Sequence, residues 1–134
     1  MVYLDTNVLI YASFNQDQRK QDASQRIIAK LRDDCALMVS PLVLQEFVFT
    51  CAKLNMERRI VANHYTFYRS FSSCSIDQEA VDDAFALSQT LNCGKNINDA
   101  VHLKLAERHC STLMTFDKDF MRFIPHSSVR IEIL

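Results

Sequence analysis

VYLDTNVLI (residues 2–10) decides the fold, because it holds a strand, a polar break and a helix in immediate succession. Its first three apolar residues predict a short strand, and the polar stretch Asp5-Thr6-Asn7 interrupts it. Residues 8–12 are apolar again and predict a buried helical segment. A strand that passes directly into a helix begins an α/β pattern, which the rest of the chain continues.

Short apolar stretches and helical segments alternate along the remaining sequence. Further strands are predicted at residues 36–39, 74–76, 112–116 and 129–134, the last as a candidate edge strand. Helices are predicted from about 21 to 32, from Ser40-Pro41 to 54, from 56 to 71, from Asp77 to about 91, from Asn96 or Asn98 to 109, and from 118 to 123. The alternation predicts an α/β fold with three layers, α/β/α, around a mainly parallel central sheet. Ligands of such folds bind beyond the carboxyl ends of the strands.

Length and composition indicate one globular domain, residues 1–134. The chain has 134 residues, of which 49% are hydrophobic and 23% are charged, as is typical of a folded protein. Its formal net charge of −1 is unlike that of proteins that hold long nucleic acids by charge alone, so any RNA contact is expected to be short and local. Candidates for that contact are Lys95, Arg58, Arg59 and Arg69.

Cysteine and histidine spacing points to neither disulfides nor zinc. The five cysteines are odd in number and include no C-x-x-C pair, so we expect reduced, mostly buried thiols in a cytoplasmic protein. The four histidines include no H-x-x-x-H pair. Residues 5–7 interrupt the first apolar stretch, and no stretch has the length of a membrane span, so we expect neither a signal peptide nor membrane contact.

Two acidic residues directly follow predicted strands. Asp5 ends the first strand, and Asp117 follows the strand at 112–116. Both are therefore expected at the edge of the sheet where this architecture binds ligands. Aspartate is also common in turns and helix caps, so each residue taken alone has a purely structural interpretation.

Two further acids lie in predicted helices. Glu46 shares a polar stripe with Thr50 and Lys53 on an otherwise apolar helix, and that stripe faces either solvent or a polar cleft. Asp99 lies in the first turn of its helix, where the helix dipole and free N–H groups stabilise a carboxylate. Here too a structural role and a functional role are both open.

Carboxylates at the ends of two strands and in two helices can converge on one site. Without a partner they repel one another and raise one another's pKa values. Mg²⁺ takes oxygen ligands and keeps several waters, so it suits a few carboxylates together with a substrate phosphate. The four acids therefore predict a metal site at which a phosphate ester is attacked in line by water.

Four segments in order resemble the motifs of PIN-domain nucleases, especially the VapC-type toxins. The segments are residues 2–10 with Asp5, residues 40–47 with Glu46, residues 98–106 with Asp99, and residues 115–120 with Asp117. The last segment resembles the T-x-D-x-x-F ending of the family. The resemblance covers nearly the whole chain.

The resemblance implies a PIN-like α/β/α fold and an endoribonuclease that depends on Mg²⁺ or Mn²⁺. Its catalytic, metal-binding acids would be Asp5, Glu46, Asp99 and Asp117. Asn7 and Thr115 would orient ligands or substrate, and Asp119 is a spare carboxylate that competes with Asp117 for the ligand role. His102 departs from the family pattern, and we interpret it as a packing or hydrogen-bonding residue and not as a ligand.

Toxins of this family usually dimerise and pair with a small antitoxin, so the resemblance implies both partners. The helices predicted at 40–54 and 56–71 also carry more large apolar residues than one small sheet is expected to bury, which predicts an interface. These residues are Val43, Phe47, Val48, Phe49, Tyr65, Phe67, Tyr68 and Phe71. A large monomer core is the alternative interpretation.

Other functions compete with a toxin nuclease. A phosphatase that forms an aspartyl-phosphate needs a D-x-D opening, and Asn7 stands where its second acid belongs. A PIN-like domain that binds RNA or protein without cutting is disfavoured because all four acids are present. A solitary housekeeping PIN nuclease fits the motifs as well as a toxin does.

Overall fold

The computed structural model describes the whole chain, residues 1–134, as four strands and their flanking helices. The strands are β1 (Val2–Leu4), β2 (Leu37–Met38), β3 (Thr112–Thr115) and β4 (Arg130–Ile133). The α-helices are α1 (Thr6–Ser13), α2 (Gln18–Asp33), α3 (Pro41–Lys53), α4 (Arg58–Arg69), α5 (Gln78–Thr90) and α6 (Ile97–His109). Two 3-10 segments, Gly94–Asn96 and Lys118–His126, precede α6 and follow β3.

The four strands form one parallel sheet in the order β2-β1-β3-β4. Val2 pairs with Leu37 of β2 and with Thr112 of β3, and Thr112 also pairs with Arg130 of β4. The chain moves from β1 to β2 in one direction across the sheet and from β3 to β4 in the other. The strand order therefore reverses between β1 and β3, and such a switch point leaves a crevice beyond the strand ends. The predicted parallel sheet is confirmed, with β4 at an edge.

The core lies between the sheet and two groups of helices. In one group α1 packs against α2 and α3, and α3 packs against α4; in the other, α5 packs against α6. Tyr3 and Leu4 of β1 and Leu113 of β3 are fully buried, as befits central strands. The predicted α/β/α arrangement is confirmed. No helix combines the length and the apolar character that crossing a membrane requires.

Local residue choices set the helix boundaries that the sequence predicted. The Ser40 side chain accepts a hydrogen bond from a backbone amide of α3, and Pro41 follows at the first helical position. Asp77 caps α5 in the same way. Just beyond the end of α5, Asn92 adopts a left-handed φ of 50°, which stops the helix.

The strand predicted at 74–76 is wrong. The chain meets the sheet edge only at a single parallel bridge between Val39 and Ser72, where the Val39 amide donates to the Phe71 carbonyl at 3.3 Å. β2 is only two residues long and offers little edge for pairing. Ile76 is 37% exposed, so burial does not hold this segment on the sheet.

Three smaller features also differ from the predictions. Asn96 makes no capping hydrogen bond to α6, and Asn98 donates to Glu46 instead of capping. The helix predicted at 118–123 is a 3-10 segment that extends to His126. Only two of the five cysteines are buried, Cys51 and Cys93.

The apolar excess on α3 and α4 is smaller than predicted. Three of the eight residues are buried in the core: Val43, Phe47 and Tyr68. Two are half-buried: Tyr65 and Phe71. Three remain exposed, with exposed fractions of 42%, 64% and 39%: Val48, Phe49 and Phe67. The monomer core therefore accounts for part of the set, and the rest is open surface.

Candidate active site

A cleft of about 440 Å³ opens beyond the carboxyl ends of β1 and β3, at the switch point of the sheet. It brings together the four acids that the sequence singled out: Asp5, Glu46, Asp99 and Asp117. Asn7 also lines the cleft, Thr115 is buried behind it, and Asp119 lies outside its lining. Residues distant in sequence meet here because parallel strands end at the same edge of a sheet.

Asp5 is fixed by three hydrogen bonds at the start of α1. Its carboxylate accepts from the Thr6 amide at 2.6 Å, from Asn7 Nδ2 at 2.7 Å and from Thr115 Oγ1 at 2.6 Å. Burial raises the pKa of Asp5, and the charge of His102 and the hydrogen bonds offset part of that rise. Asp5 both caps α1 and lines the cleft. Its structural role as a cap is therefore compatible with a functional role at the site.

Asn7 and Thr115 join the ends of β1 and β3. Asn7 Nδ2 also donates to Thr115 Oγ1 at 2.9 Å, and Asn7 Oδ1 accepts from the Phe116 amide at 3.0 Å. Thr115 Oγ1 accepts from the Asp117 amide at 2.9 Å. Asn7 and Thr115, which were predicted to orient ligands or substrate, thus lie behind the acids and hold Asp5 in register with Asp117.

Glu46 reaches the cleft from α3. It accepts from Thr6 Oγ1 at 2.7 Å, from His102 Nε2 at 2.9 Å and from Asn98 Nδ2 at 2.8 Å. Burial alone would raise its pKa, but the hydrogen bond and charge of His102 and the other two donors lower the pKa of Glu46 to about 2. Thr50, one helical turn later, also lines the cleft. The polar stripe of α3 therefore faces a cleft at these two positions.

A buried chain of hydrogen bonds extends behind Glu46. His102 Nδ1 lies 2.7 Å from the Tyr3 hydroxyl, which lies 2.7 Å from Ser40 Oγ. Because an ionised carboxylate can only accept, His102 donates from Nε2 to Glu46. Burial lowers the pKa of His102, but the Glu46 hydrogen bond and the charges of Asp5 and Glu46 raise it overall. His102 makes the hydrogen bond predicted for it, whereas Tyr3 and Ser40 were read only as a strand residue and a helix cap.

His102 lies close to two of the carboxylates, those of Asp5 and Glu46. One ligand atom each of Asp5, Glu46 and His102 lies within 4.8 Å of the others. Nε2 of His102 is 3.9 Å from Asp5 Oδ1. While Nε2 carries the proton donated to Glu46 it has no lone pair for a metal, and His102 could join Asp5 and Glu46 as a ligand only after losing that proton.

Asp99 and Asp117 complete the cleft with fewer partners. Asp99 lies in the first turn of α6, and its Oδ2 is buried without a hydrogen-bond partner. Burial, reinforced by the charges of Asp5 and Asp117, raises the pKa of Asp99 to about 6. Asp117 caps the following 3-10 segment by accepting from the Asp119 amide at 2.8 Å. Asp99 therefore carries part of the mutual repulsion expected of converging acids.

Arg122 is a cation at this site that the sequence analysis missed. Its Nη2 lies 3.6 Å from Asp99 Oδ2 and 3.5 Å from Asp119 Oδ2, and it too is buried without a hydrogen bond. The carboxylate of Asp119 thus faces Arg122 outside the cleft lining. The i, i+3 spacing of these two residues was the only signal in the sequence. None of the four basic residues predicted to contact RNA lines the cleft.

The donor set of the cleft fits a hard divalent cation. Four acids line one space, and the buried Asp99 Oδ2 accepts no hydrogen bond and has only the Arg122 guanidinium near it, at 3.6 Å. The carboxylates of Asp5 and Asp117 retain lone pairs beyond their hydrogen bonds. Mg²⁺ and Mn²⁺ prefer such oxygen donors. Asp5, Glu46, Asp99 and Asp117 are the residues that would hold the ion.

The fold and the cleft define a class of protein, an α/β domain with clustered acids at the switch point of a parallel sheet. The sequence model of the PIN domain matches residues 2–123, and the chain belongs to this family of nucleases. Among curated protein sequences, none matches this chain.

Two solved structures share the fold over their whole length. One is VapBC2 from Rickettsia felis bound to a DNA fragment from its promoter, with a TM-score of 0.73 and 19% identity, covering 100% of this chain and 99% of that one. The other is a toxin–antitoxin complex from Klebsiella pneumoniae, with a TM-score of 0.66 and 22% identity, covering 99% of this chain and 100% of that one. At these identities the likeness concerns the fold.

Proposed function

We propose that this protein is an endoribonuclease that hydrolyses RNA phosphodiester bonds with Mg²⁺ or Mn²⁺. One observation carries the proposal: four carboxylates share a cleft in which the pKa of Asp99 is raised to about 6. Like charges this close are compatible only when a proton or a cation is present. Membership of the PIN family supports the assignment to nucleases.

Each acid has a distinct place in the proposed reaction. A cation held by Asp5, Glu46, Asp99 and Asp117 would lower the pKa of water and offset the charge that develops on the phosphate. Asp5 is presented in one orientation by its three donors, and Asn7 and Thr115 keep it in register with Asp117. Glu46, with a pKa of about 2, is ionised throughout the physiological range. Asp99, with a pKa of about 6, would hold the cation as a carboxylate near and above neutral pH.

Cleavage of a panel of structured RNAs, including tRNA, with and without EDTA tests the nuclease proposal. We expect Mg²⁺ or Mn²⁺ to support cleavage and EDTA to abolish it. Attack by water in line should leave 5′-phosphate and 3′-hydroxyl ends. Full activity in EDTA, or cyclic phosphate ends, would indicate metal-free acid–base chemistry. RNA binding without products would identify a domain that binds and does not cut.

We also propose that the protein is a toxin held in check in the cytoplasm by a small antitoxin. The structural relatives include a toxin–antitoxin complex. An apolar groove of about 400 Å³ between α3 and α4, lined by residues such as Val48, Met56 and Tyr65, has the character of a site for an amphipathic helix. A second copy of the chain would cover part of the exposed apolar surface, forming a homodimer. An antitoxin arginine would pair with the cleft acids.

Growth and co-purification test the toxin proposal. Expression of the chain alone should slow growth, and a neighbouring small open reading frame should restore it. The Asp99→Asn variant serves as the control, because it should be harmless while still binding the antitoxin. Light scattering of the purified protein reports the homodimer. If the wild-type chain is harmless and no small protein co-purifies with it, the protein is a solitary nuclease.

A further inference from the structure

Aromatic side chains on two helices line the acidic cleft. Tyr11 of α1 and Phe49 of α3 both stand beside the four acids. Phe49 is 64% exposed, although phenylalanine is usually buried. Neither ring is a ligand for a hard cation, so a metal site does not account for them.

Each ring has a lysine ammonium next to it. Lys20 Nζ lies 4.6 Å from the centroid of the Tyr11 ring and donates to its hydroxyl at 3.2 Å. Lys53 Nζ lies 5.5 Å from the centroid of Phe49. Phe116 packs edge-on against Tyr11, with centroids 5.1 Å apart. Tyr11 is therefore held in a packed unit, whereas the Phe49 side chain is exposed and has only the Lys53 ammonium over its ring.

Two of these aromatic residues, Phe49 and Phe116, lie close in sequence to acids of the cleft. Phe49 follows Glu46 by three residues, which places both on one side of α3. Phe116 directly precedes Asp117 at the end of β3. The elements that position the carboxylates therefore position the aromatic groups as well.

An RNA strand that enters this cleft needs an attraction that does not depend on backbone charge. The four acids repel phosphates, and the chain has a net charge of −1. Stacking of a base on an aromatic ring is not opposed by this repulsion, because the base is neutral. Stacking is also possible for every base, so it does not depend on the RNA sequence. Lys20 and Lys53 add positive charge beside the two rings, where adjacent phosphates would lie. In a duplex the base faces are covered by neighbouring bases, so only unpaired nucleotides can use the rings.

We propose that Tyr11 with Lys20 and Phe49 with Lys53 form a binding site for the unpaired nucleotides that flank the scissile phosphodiester of single-stranded RNA. The position of the scissile bond rests on the proposed nuclease function. Stacking itself needs no metal, so binding can be measured separately from cleavage.

Binding of a labelled single-stranded oligoribonucleotide to the full chain in EDTA is the first measurement. Phe49→Ala should weaken binding roughly 5- to 150-fold, the range for loss of one base–aromatic stack. Phe49→Trp should retain binding because the ring is kept. Phe85→Ala is the matched control: Phe85 is 58% exposed on α5 and does not line the cleft. A duplex of the same sequence should bind more weakly and should not respond to Phe49→Ala.

Steady-state cleavage with Mg²⁺ is the second measurement. Phe49→Ala should raise KM over the same range with little change in kcat, because the stack forms equally in the ground and transition states. Equal binding and equal KM for the Phe49→Ala and Phe85→Ala variants overturn the proposal. It is likewise overturned if Phe49→Ala abolishes capture of a co-expressed protein partner and leaves RNA binding unchanged. RNA binding that depends on Phe49 without any cleavage upholds this site and refutes the nuclease function alone.

Discussion

Asp5 and Glu46 differ from Asp99 and Asp117 in how the protein satisfies their charges. Asp5 and Glu46 each accept three hydrogen bonds. Asp117 accepts one, from a backbone amide, and Asp99 Oδ2 is buried with none. The pKa values of Glu46 and Asp99 differ in the same sense, at about 2 and about 6, whereas burial raises the pKa of Asp5 in spite of its three donors.

Within one cleft, this difference separates the acids that stabilise the fold from the acids whose charge depends on a cation. The donors around Asp5 and Glu46 come from α1, α6 and β3, and Glu46 itself lies on α3, so these two acids help to hold the elements together. Asp99 accepts no hydrogen bond, and within the protein its charge is offset only in part, by the charges of His102 and Arg122. We therefore expect substitutions of Asp5 to weaken the fold and substitutions of Asp99 to affect mainly the chemistry.

The largest expected effect is on cleavage by the Asp99→Asn variant. The rate should fall roughly 100-fold or more, as when one preorganised electrostatic group is removed from an active site. Asparagine keeps the shape and removes the repulsion, so the melting temperature in EDTA should stay the same or rise. Cleavage assays and thermal melting in EDTA measure both quantities. A loss of several degrees would show that Asp99 is mainly a structural residue of α6.

Asp5→Ala should lower the free energy of unfolding by about 2–4 kcal/mol. The substitution leaves three donors without an acceptor and removes the cap of α1. Urea denaturation measures the loss. Asp99→Ala is the matched control, because Asp99 accepts no hydrogen bond whose loss would destabilise the fold. Equal losses for the two variants would contradict the division of the site into two halves.

His102→Ala should cost about 2–3 kcal/mol of unfolding free energy, because it leaves a cavity and removes the partner of Tyr3 and Glu46. His102→Gln keeps a donor at this position and should lose less. NMR titration gives a second readout: the pKa of Glu46 should rise from about 2 toward its ordinary value when the histidine is removed. An unchanged Glu46 titration would show that His102 only fills space.

The smallest expected effect is the pH dependence that Asp99 gives to the cation-free protein. Its pKa is about 6 in the folded protein against an ordinary value of 3.8, so the folded state binds the proton more tightly than the unfolded state. The resulting penalty is absent below about pH 4, grows as pH rises to about 6, and persists above it, at roughly 1 kcal/mol after solvent screening. Melting of the wild-type and Asp99→Asn proteins in EDTA should therefore coincide at low pH and diverge toward neutrality.

Asp33→Asn is the control for this pH series. Asp33 forms an exposed ion pair with Arg32 at the end of α2 and does not line the cleft. Its substitution should change stability by less than about 0.5 kcal/mol at every pH. A divergence of the same size for both variants would assign the effect to general surface charge.

The framework was predictable because it depends on local patterns. The succession of apolar strand, polar break and helix in residues 2–10 already predicts parallel topology, and the Ser40 and Asp77 caps need only a backbone amide three residues away. The meeting of Asp5 and Asp117 follows as well, because parallel strands end at one edge. These features can be predicted from strand direction alone, without knowing which side chains are in contact.

Contacts between distant segments were decided only by the tertiary structure. The Tyr3–His102 hydrogen bond joins residues that are 99 positions apart, and no spacing in the sequence predicts it. Phe47 is buried and Phe49 is 64% exposed on the same helix, because packing against α1 and α4 determines which side of α3 is covered. The segment 74–76 failed to form a strand because the edge offered by β2 is too short. A local pattern records a residue's preference for burial or pairing, whereas the fold decides whether a partner stands within reach.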